Sequence, residues 1–229
     1  AVLDFIKKSP KYDFAQIWIL DQNSKTIIPK ELKRATGRNY LKKLDTFDLV
    51  FRSPGVPFNL PEIQKAVKQG TIFSSATKLF FENFTGRVIG ITGTKGKGTA
   101  STLIHEILSK SDFDSFLAGN IGKPALEILP LLKQHSIVVL ELSSFQLQDL
   151  TVSPNIAVVL DVFPDHMDAH KNFKEYTEAK SNIARYQTAD NKTFYFKDNK
   201  DSFRVAKNGG GKKIPVATKG FNLFRQIDL

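Results

Sequence analysis

The chain has 229 residues, 41% hydrophobic and 24% charged, with 33 Lys and Arg against 23 Asp and Glu and a formal charge of +10. That length and apolar content suit one or two folded domains and exclude a wholly disordered chain. With no cysteine, disulfides, cysteine-ligated zinc, iron–sulfur clusters and thiol catalysis are excluded together, and no apolar run approaches the roughly 18–20 residues that span a bilayer.

In chain order, AVLDFIKK predicts a helix already under way at the first residue. With Met167 the only methionine, the sequence is expected to be an internal piece of a longer protein. IWILD (17–21) and FDLVF (47–51) read as strands, the second stopped by SPGVP, and LPEIQKAVKQG (60–70) as a helix with Pro61 in its first turn and Gly70 as its stop. TIFSS is a short strand and TKLFFENF a helix ending at Thr85-Gly86, where the domain boundary is expected, giving domains of 1–85 and 86–229. RVIGIT (87–92) then leads through a glycine-rich turn into TASTLIHEILSKS, whose Leu103, Ile104, Ile107 and Leu108 share a helical face. SIVVLEL (136–142), NIAVVLDV (155–162) and KTFYFK (192–197) read as strands and KEYTEAKSNIARYQ (174–187) as a helix. Nearly continuous apolar strands separated by helices predict an α/β fold with a mostly parallel sheet covered on both faces.

The charge lies in the flanks. Residues 1–48 hold 10 basic and 6 acidic side chains and 191–229 hold 9 and 3, whereas 49–190 hold 14 of each. The stretch KDNKDSFRVAKNGGGKKIPVATKG is expected to be a solvated loop rather than a nucleic-acid reader, since no zinc-finger, RNP-type or helix-turn-helix pattern accompanies it. A basic phosphate-loop protein that binds nucleic acid is the rival reading.

Three motifs carry chemistry. In GITGTKGKGTAS, between a strand and a helix, Gly93, Gly96 and Gly98 let backbone N–H groups turn inward on a phosphate at the positive end of the helix. Lys97 would reach the β- and γ-phosphates and Thr99 is the nearest hydroxyl for Mg²⁺, Gly98 standing where Ser or Thr is usual. VVLELSSFQLQ puts Glu141 at the end of a buried strand, where a carboxylate can hold Mg²⁺ directly or through water. VFPDHMDAH places His166 just after the next strand, though a lone histidine in such a loop is more often a surface residue.

GTKGKGT, ELSSFQL and DHMD, in this order and spacing, resemble the central ATP-binding domain of the Mur ligases over about residues 45–197. SPGVP and the pairing of ELSSFQL with GNIG (Gly119 to Gly122) point within that family to members that add D-glutamate to UDP-N-acetylmuramoyl-L-alanine. The resemblance implies a truncated Rossmann-like N-terminal domain followed by a P-loop NTPase-like central domain, with ATP and Mg²⁺ as cofactors, in a cytoplasmic monomer with no membrane insertion. It also implies a third domain, supplying D-glutamate, outside this sequence; the fragment alone is then inactive. GKGT in place of GK[ST][ST] is the form of the related folylpolyglutamate synthases, the alternative within the class.

Carried over by position, Gly93, Thr94, Lys95, Gly96, Lys97, Gly98 and Thr99 cradle the triphosphate. Thr99 and Glu141 hold one Mg²⁺ and His166 helps hold a second. Lys180 matches a carbamylated lysine, whose anionic form bridges to magnesium; from the residues alone it reads as a surface lysine. Asn120, Ser143, Ser144 and Gln146 line the muramoyl-alanine side. Ser53, Pro54 and Gly55 match a nucleotide-sugar contact, and Asp21 a uracil contact, although Asp21 in LDQNSK reads equally as a turn former.

Overall fold

The structure, a computed structural model, describes residues 1–217. It divides into two compact units, Ala1–Ala76 and a second that begins at Thr77.

The first unit runs α1 (Val2–Lys8), β1 (Trp18–Asp21), β2 (Lys33–Thr36), β3 (Leu49–Phe51), α2 (Pro61–Lys68) and β4 (Ile72–Ser74). Two parallel pairs form, β1 with β2 and β3 with β4. Strand β2, KRAT, has no apolar alternation and was not legible as a strand. Lys33 and Arg34 are exposed and Ala35 and Thr36 partly buried, while its backbone pairs with WILD. Helix α2 turns Ile63 and Ala66 inward onto Leu44 and Phe73, and Val50, Val56 and Phe58 pack around them. Lys65 on its outer side pairs with Asp45 at 2.7 Å.

The second unit contains β5 (Arg87–Thr92), α4 (Lys97–Lys110), β6 (Ser115–Gly119), α5 (Ala125–Ile128), β7 (Ile137–Glu141), α6 (Ser144–Leu147), β8 (Ile156–Val159), α7 (Phe173–Arg185), β9 (Lys192–Phe196), α8 (Lys200–Ala206) and β10 (Lys212–Val216). Its six strands form one sheet in the order β10-β9-β8-β5-β7-β6, every pair parallel. Parallel strands need covered faces, which explains why β7, IVVLE, is buried at every residue. Because β5 lies centrally, with its successor β6 at one edge and β8 on its other side, the sheet order reverses beside β5. Ligands of open α/β sheets bind at the carboxyl ends of strands flanking such a reversal.

The helix α3 (Ala76–Asn83), expected to close the first domain, falls almost wholly in the second unit. Its Leu79 and Phe80 are buried, and Lys78 lies 4.0 Å from Asp149 of that unit. The division therefore comes upstream of Thr85-Gly86. Helix α4 also departs from its expected face: Ile104 and Leu108 pack on the sheet, but Leu103 and Ile107 stand 57% and 64% exposed. The basic stretch expected as a solvated loop folds instead, as α8 and β10, with Ser202, Val205 and Ala206 buried. From Thr218 to Leu229 the expected second domain lies outside the described residues.

Candidate active site

At the carboxyl end of β5 the chain turns sharply into α4. Gly93 adopts φ +155, and a Cβ there would stand 2.7 Å from Leu160 Cβ; Gly96, at φ +78, is the N-cap of α4. Both are conformations that side-chain-bearing residues rarely adopt. Lys97, Gly98 and Thr99 form the first helical positions, so their N–H groups lack intrahelical carbonyl partners and carry the helix's positive end. Thr99 is exposed and Lys95 lies over the Phe163 ring at 5.9 Å. Thr94 also has a structural part. Its N–H donates to the Asp161 carbonyl at 2.7 Å, and its hydroxyl bonds the Phe163 carbonyl and the Tyr176 hydroxyl at 3.0 Å each. Backbone and side chain alike fasten the loop to the fold.

Two amines converge on this loop. Lys97 Nζ donates to the Thr94 carbonyl at 3.1 Å, and Lys180 Nζ donates to the Gly93 carbonyl at 2.8 Å and towards Thr92 Oγ1 at 3.4 Å. Lys180 is not a surface lysine: it is 2% exposed, 4.5 Å from the Tyr176 ring centroid. Burial first, then the neighbouring Lys97 charge, lowers its pKa to about 7. Sequence periodicity held a sign of this, because Tyr176, Ala179, Lys180 and Ile183 form the buried stripe of α7 at helical spacing.

Glu141, 3% exposed at the end of β7, accepts from Asn120 Nδ2 at 3.0 Å through Oε1. Its Oε2 is buried without a hydrogen-bond partner, and a Cβ at Gly98 would stand 3.4 Å from it. A buried carboxylate oxygen with no donor, facing the first turn of α4, is the donor set of a hard cation shared with phosphate oxygens. These residues fit Mg²⁺. Among the described residues, however, no three His, Cys, Asp or Glu side chains cluster to hold a metal. His166 packs edge-on against Phe145, at 5.2 Å between ring centroids, and lies 3.6 Å from Asp165; its backbone is left-handed, φ +54.

Of the polar residues after Glu141 in ELSSFQL, Ser144 is buried while Ser143 and Gln146 are partly exposed. Ser143 and Gln146 close a reciprocal cap on α6, and Ser144 Oγ lies 3.0 Å from His170 Nε2. His170 was missed by sequence reasoning. It is buried, its pKa is lowered chiefly by that burial, and it stacks on Phe145.

Within the first unit, Asp21, Ser53 and Gly55 line one cleft of about 580 Å³, together with Arg38, Asn39, Tyr40, Lys42 and Glu62. Pro54 is in the same turn but is not among the lining residues. Asp21 acts as the turn former it was read as, its Oδ1 accepting from Asn23 N–H at 2.8 Å. Arg38 and Lys42 were not anticipated, because exposed basic residues in a basic flank carry no distinguishing pattern. Tyr40 has its pKa raised by burial and by the Asp21 and Glu62 charges, which places all three in one neighbourhood.

A family model described as the Mur ligase middle domain matches residues 91–227. The UDP-N-acetylmuramoylalanine--D-glutamate ligase of Acetivibrio thermocellus is 43% identical over 189 residues, 82% of this chain and 41% of that protein. The ligase of the same name from Clostridium botulinum (strain Kyoto / Type A2) is 42% identical over 162 residues, 71% of this chain and 35% of that one. The chain thus spans about two fifths or less of the length of these curated relatives. Among solved structures, the UDP-N-acetylmuramate:L-alanyl-gamma-D-glutamyl-meso-diaminopimelate ligase of Neisseria meningitides shares the fold, with a TM-score of 0.51, 14% identity, and coverage of 83% of this chain and 67% of that one.

Proposed function

The chain belongs to the Mur ligase family, and from that premise we propose that the protein of which it is part joins D-glutamate to UDP-N-acetylmuramoyl-L-alanine at the expense of ATP. In this reading the substrate carboxylate takes the γ-phosphoryl group of ATP. The D-glutamate amine then attacks the acyl phosphate, forming the amide N–C bond as the C–O bond to phosphate breaks; the amine loses a proton and inorganic phosphate leaves. Such phosphoryl transfer depends on positioning and charge neutralisation rather than on a protein nucleophile.

The observation that carries the reading is the corner where the free N–H groups of the first turn of α4 meet the unpartnered Glu141 Oε2, 3.4 Å from where a Cβ on Gly98 would stand, with the Lys97 amine held on the same loop at the Thr94 carbonyl. Lys97, now folded onto the Thr94 carbonyl, would swing to the transferring phosphoryl group. Glu141 and Thr99 would hold Mg²⁺, which when bound neutralises phosphate charge. Asn120 fixes the carboxylate of Glu141 for that task, and His166 would act beside the reacting carboxylate. Lys180, with its pKa lowered to about 7, is largely a free amine just above neutrality. A free amine can add to carbon dioxide, releasing one proton and becoming a carbamate anion that suits a second cation. In the first unit, the Ser53–Gly55 turn with Arg38 and Lys42 would receive the diphosphate of the nucleotide sugar, and Asp21 the uracil. A location in the cytoplasm, where the nucleotide substrates are found, and a monomeric state complete the reading.

The test is phosphate release by the full-length protein supplied with ATP, UDP-N-acetylmuramoyl-L-alanine and D-glutamate. Release that needs all three, with the amide product identified by mass, is expected; equal release with D-glutamate omitted or replaced by a folate and L-glutamate would overturn the assignment.

A further inference from the structure

Five rings run in unbroken succession through the second unit. His166 meets Phe145 edge-on at 5.2 Å, Phe145 stacks on His170 at 5.3 Å and 17°, His170 meets Tyr176 edge-on at 5.3 Å, and Tyr176 stacks on Phe173 at 6.1 Å. Tyr176 in turn bonds Thr94 of the glycine loop and lies under Lys180. The middle ring is the most confined. The His170 side chain has no exposed surface; Nε2 is 3.0 Å from Ser144 Oγ, and Nδ1 lies 3.8 Å from Glu175 Oε1. Glu175 is itself held, accepting from Gln148 Nε2 at 3.0 Å and from Lys171 N–H at 3.0 Å. At the far end His166 is the opposite case, a half-exposed side chain on a left-handed backbone whose ring packing is Phe145. A non-glycine residue in that conformation is strained and persists where its surroundings hold it.

We propose that His170 is a positioning residue: it fixes the Phe145 ring from behind and thereby seats the His166 imidazole at the mouth of the site, while its bond to Ser144 locks the ELSSFQL segment on the same axis. The proposal rests on the foregoing reading only in giving His166 a part in the reaction; the packing it describes can be tested without substrate. His170 reaches no reacting atom, being sealed behind Phe145 and Ser144. The direct link of the stack to Thr94 means that the seat of His166 and the anchor of the glycine loop share one rigid spine.

The experiment uses the full-length protein with ¹³C-labelled histidine, the His166 ring signal being identified by its loss in His166→Gln. Stacked and edge-on rings displace neighbouring signals, so the wild-type His166 signal is expected away from the free-histidine position. His170→Gln, which keeps a hydrogen-bonding group and removes the ring, should return the signal towards that position and lower kcat about ten-fold, with the KM for ATP unchanged. His170→Phe, which keeps the ring and removes the bond to Ser144, should leave the signal displaced and retain most of kcat. A His166 signal unmoved in His170→Gln would overturn the proposal, as would His170→Phe losing as much activity as His170→Gln. Expected signal changes in a wild-type protein that makes no amide product would leave the spine standing and remove the assigned reaction instead.

Discussion

Two glycine-bearing turns, one in each unit, are assigned to phosphate, and they are built on opposite plans. At Gly93 the backbone takes a left-handed conformation with the side chains of Leu160 and the carbonyl of Asp161 closed around it, and Thr94, Lys97 and Lys180 bond to the loop. At Gly55 a Cβ would meet nothing within 4 Å, and the cleft beside it is lined by exposed Arg38 and Lys42. Under the proposed function the first would be a cradle whose backbone N–H groups are fixed before the ligand arrives, with the Lys97 amine alone left to swing in. The second is a solvated surface, and under the proposed function it would hold a substrate by its nucleotide end.

The sharpest way to break this contrast is Lys97→Ala in the full-length protein. If the cradle acts on the transferring phosphoryl group, kcat for phosphate release should fall about 10³-fold, with thermal stability preserved because the half-buried amine makes a single hydrogen bond, to Thr94. A loss under about ten-fold would remove the loop from the chemistry. Gly93→Ala tests the same cradle through the fold. With φ +155 and a 2.7 Å approach to Leu160, it should lower the unfolding free energy by about 1–3 kcal/mol in urea titration.

Lys180 gives the contrast a pH signature. Its amine has a folded pKa of about 7 against an ordinary 10.5, so between those values the unfolded chain binds more protons than the folded one. Stability from this group is therefore least below pH 7 and rises with pH through the window, by at most about 1.4 kcal/mol per unit. Relative to Lys180→Met, the wild type should gain urea resistance between pH 7 and pH 9. Parallel curves for the two proteins would show the amine titrating as though exposed.

Much of this was legible in the sequence for a physical reason: strands of a covered parallel sheet must be apolar throughout, so RVIGIT, SIVVLEL and NIAVVLDV announce themselves, and glycines at a strand-to-helix turn announce the loop. What escaped depended on contacts between distant segments. KRAT became β2 only because WILD pairs with it. The 200–216 stretch folded because Ser202 bonds the Val159 carbonyl of β8 and β10 pairs with β9. Nor could polarity reveal the structural bonds of Thr94, Ser143 and Gln146, since a hydroxyl or amide shows its partner only in the fold. His170 was hidden likewise, its burial being set by Phe145 and Tyr176 from other parts of the chain.

Smaller effects belong to the first unit. Arg38→Ala should raise the KM for the nucleotide-sugar substrate about five-fold with kcat unchanged, more at low salt than at high, as for an exposed charge contact; a fall in kcat would place the cleft in the chemistry. Smallest of all is the stability change in Gly55→Ala. A methyl group there finds no protein atom within 4 Å and no left-handed backbone to strain, so the thermal midpoint should stay within about 1 °C of wild type. The same methyl group would stand on the turn assigned to the diphosphate, and so should raise the nucleotide-sugar KM while leaving the ATP KM alone. The paired outcome, an unfolding penalty at Gly93 and a binding penalty at Gly55, follows from what each turn meets: protein in one case, open space proposed for a ligand in the other. A Gly55→Ala protein with unaltered KM for the nucleotide sugar would detach the turn from the substrate and leave the contrast without its second member.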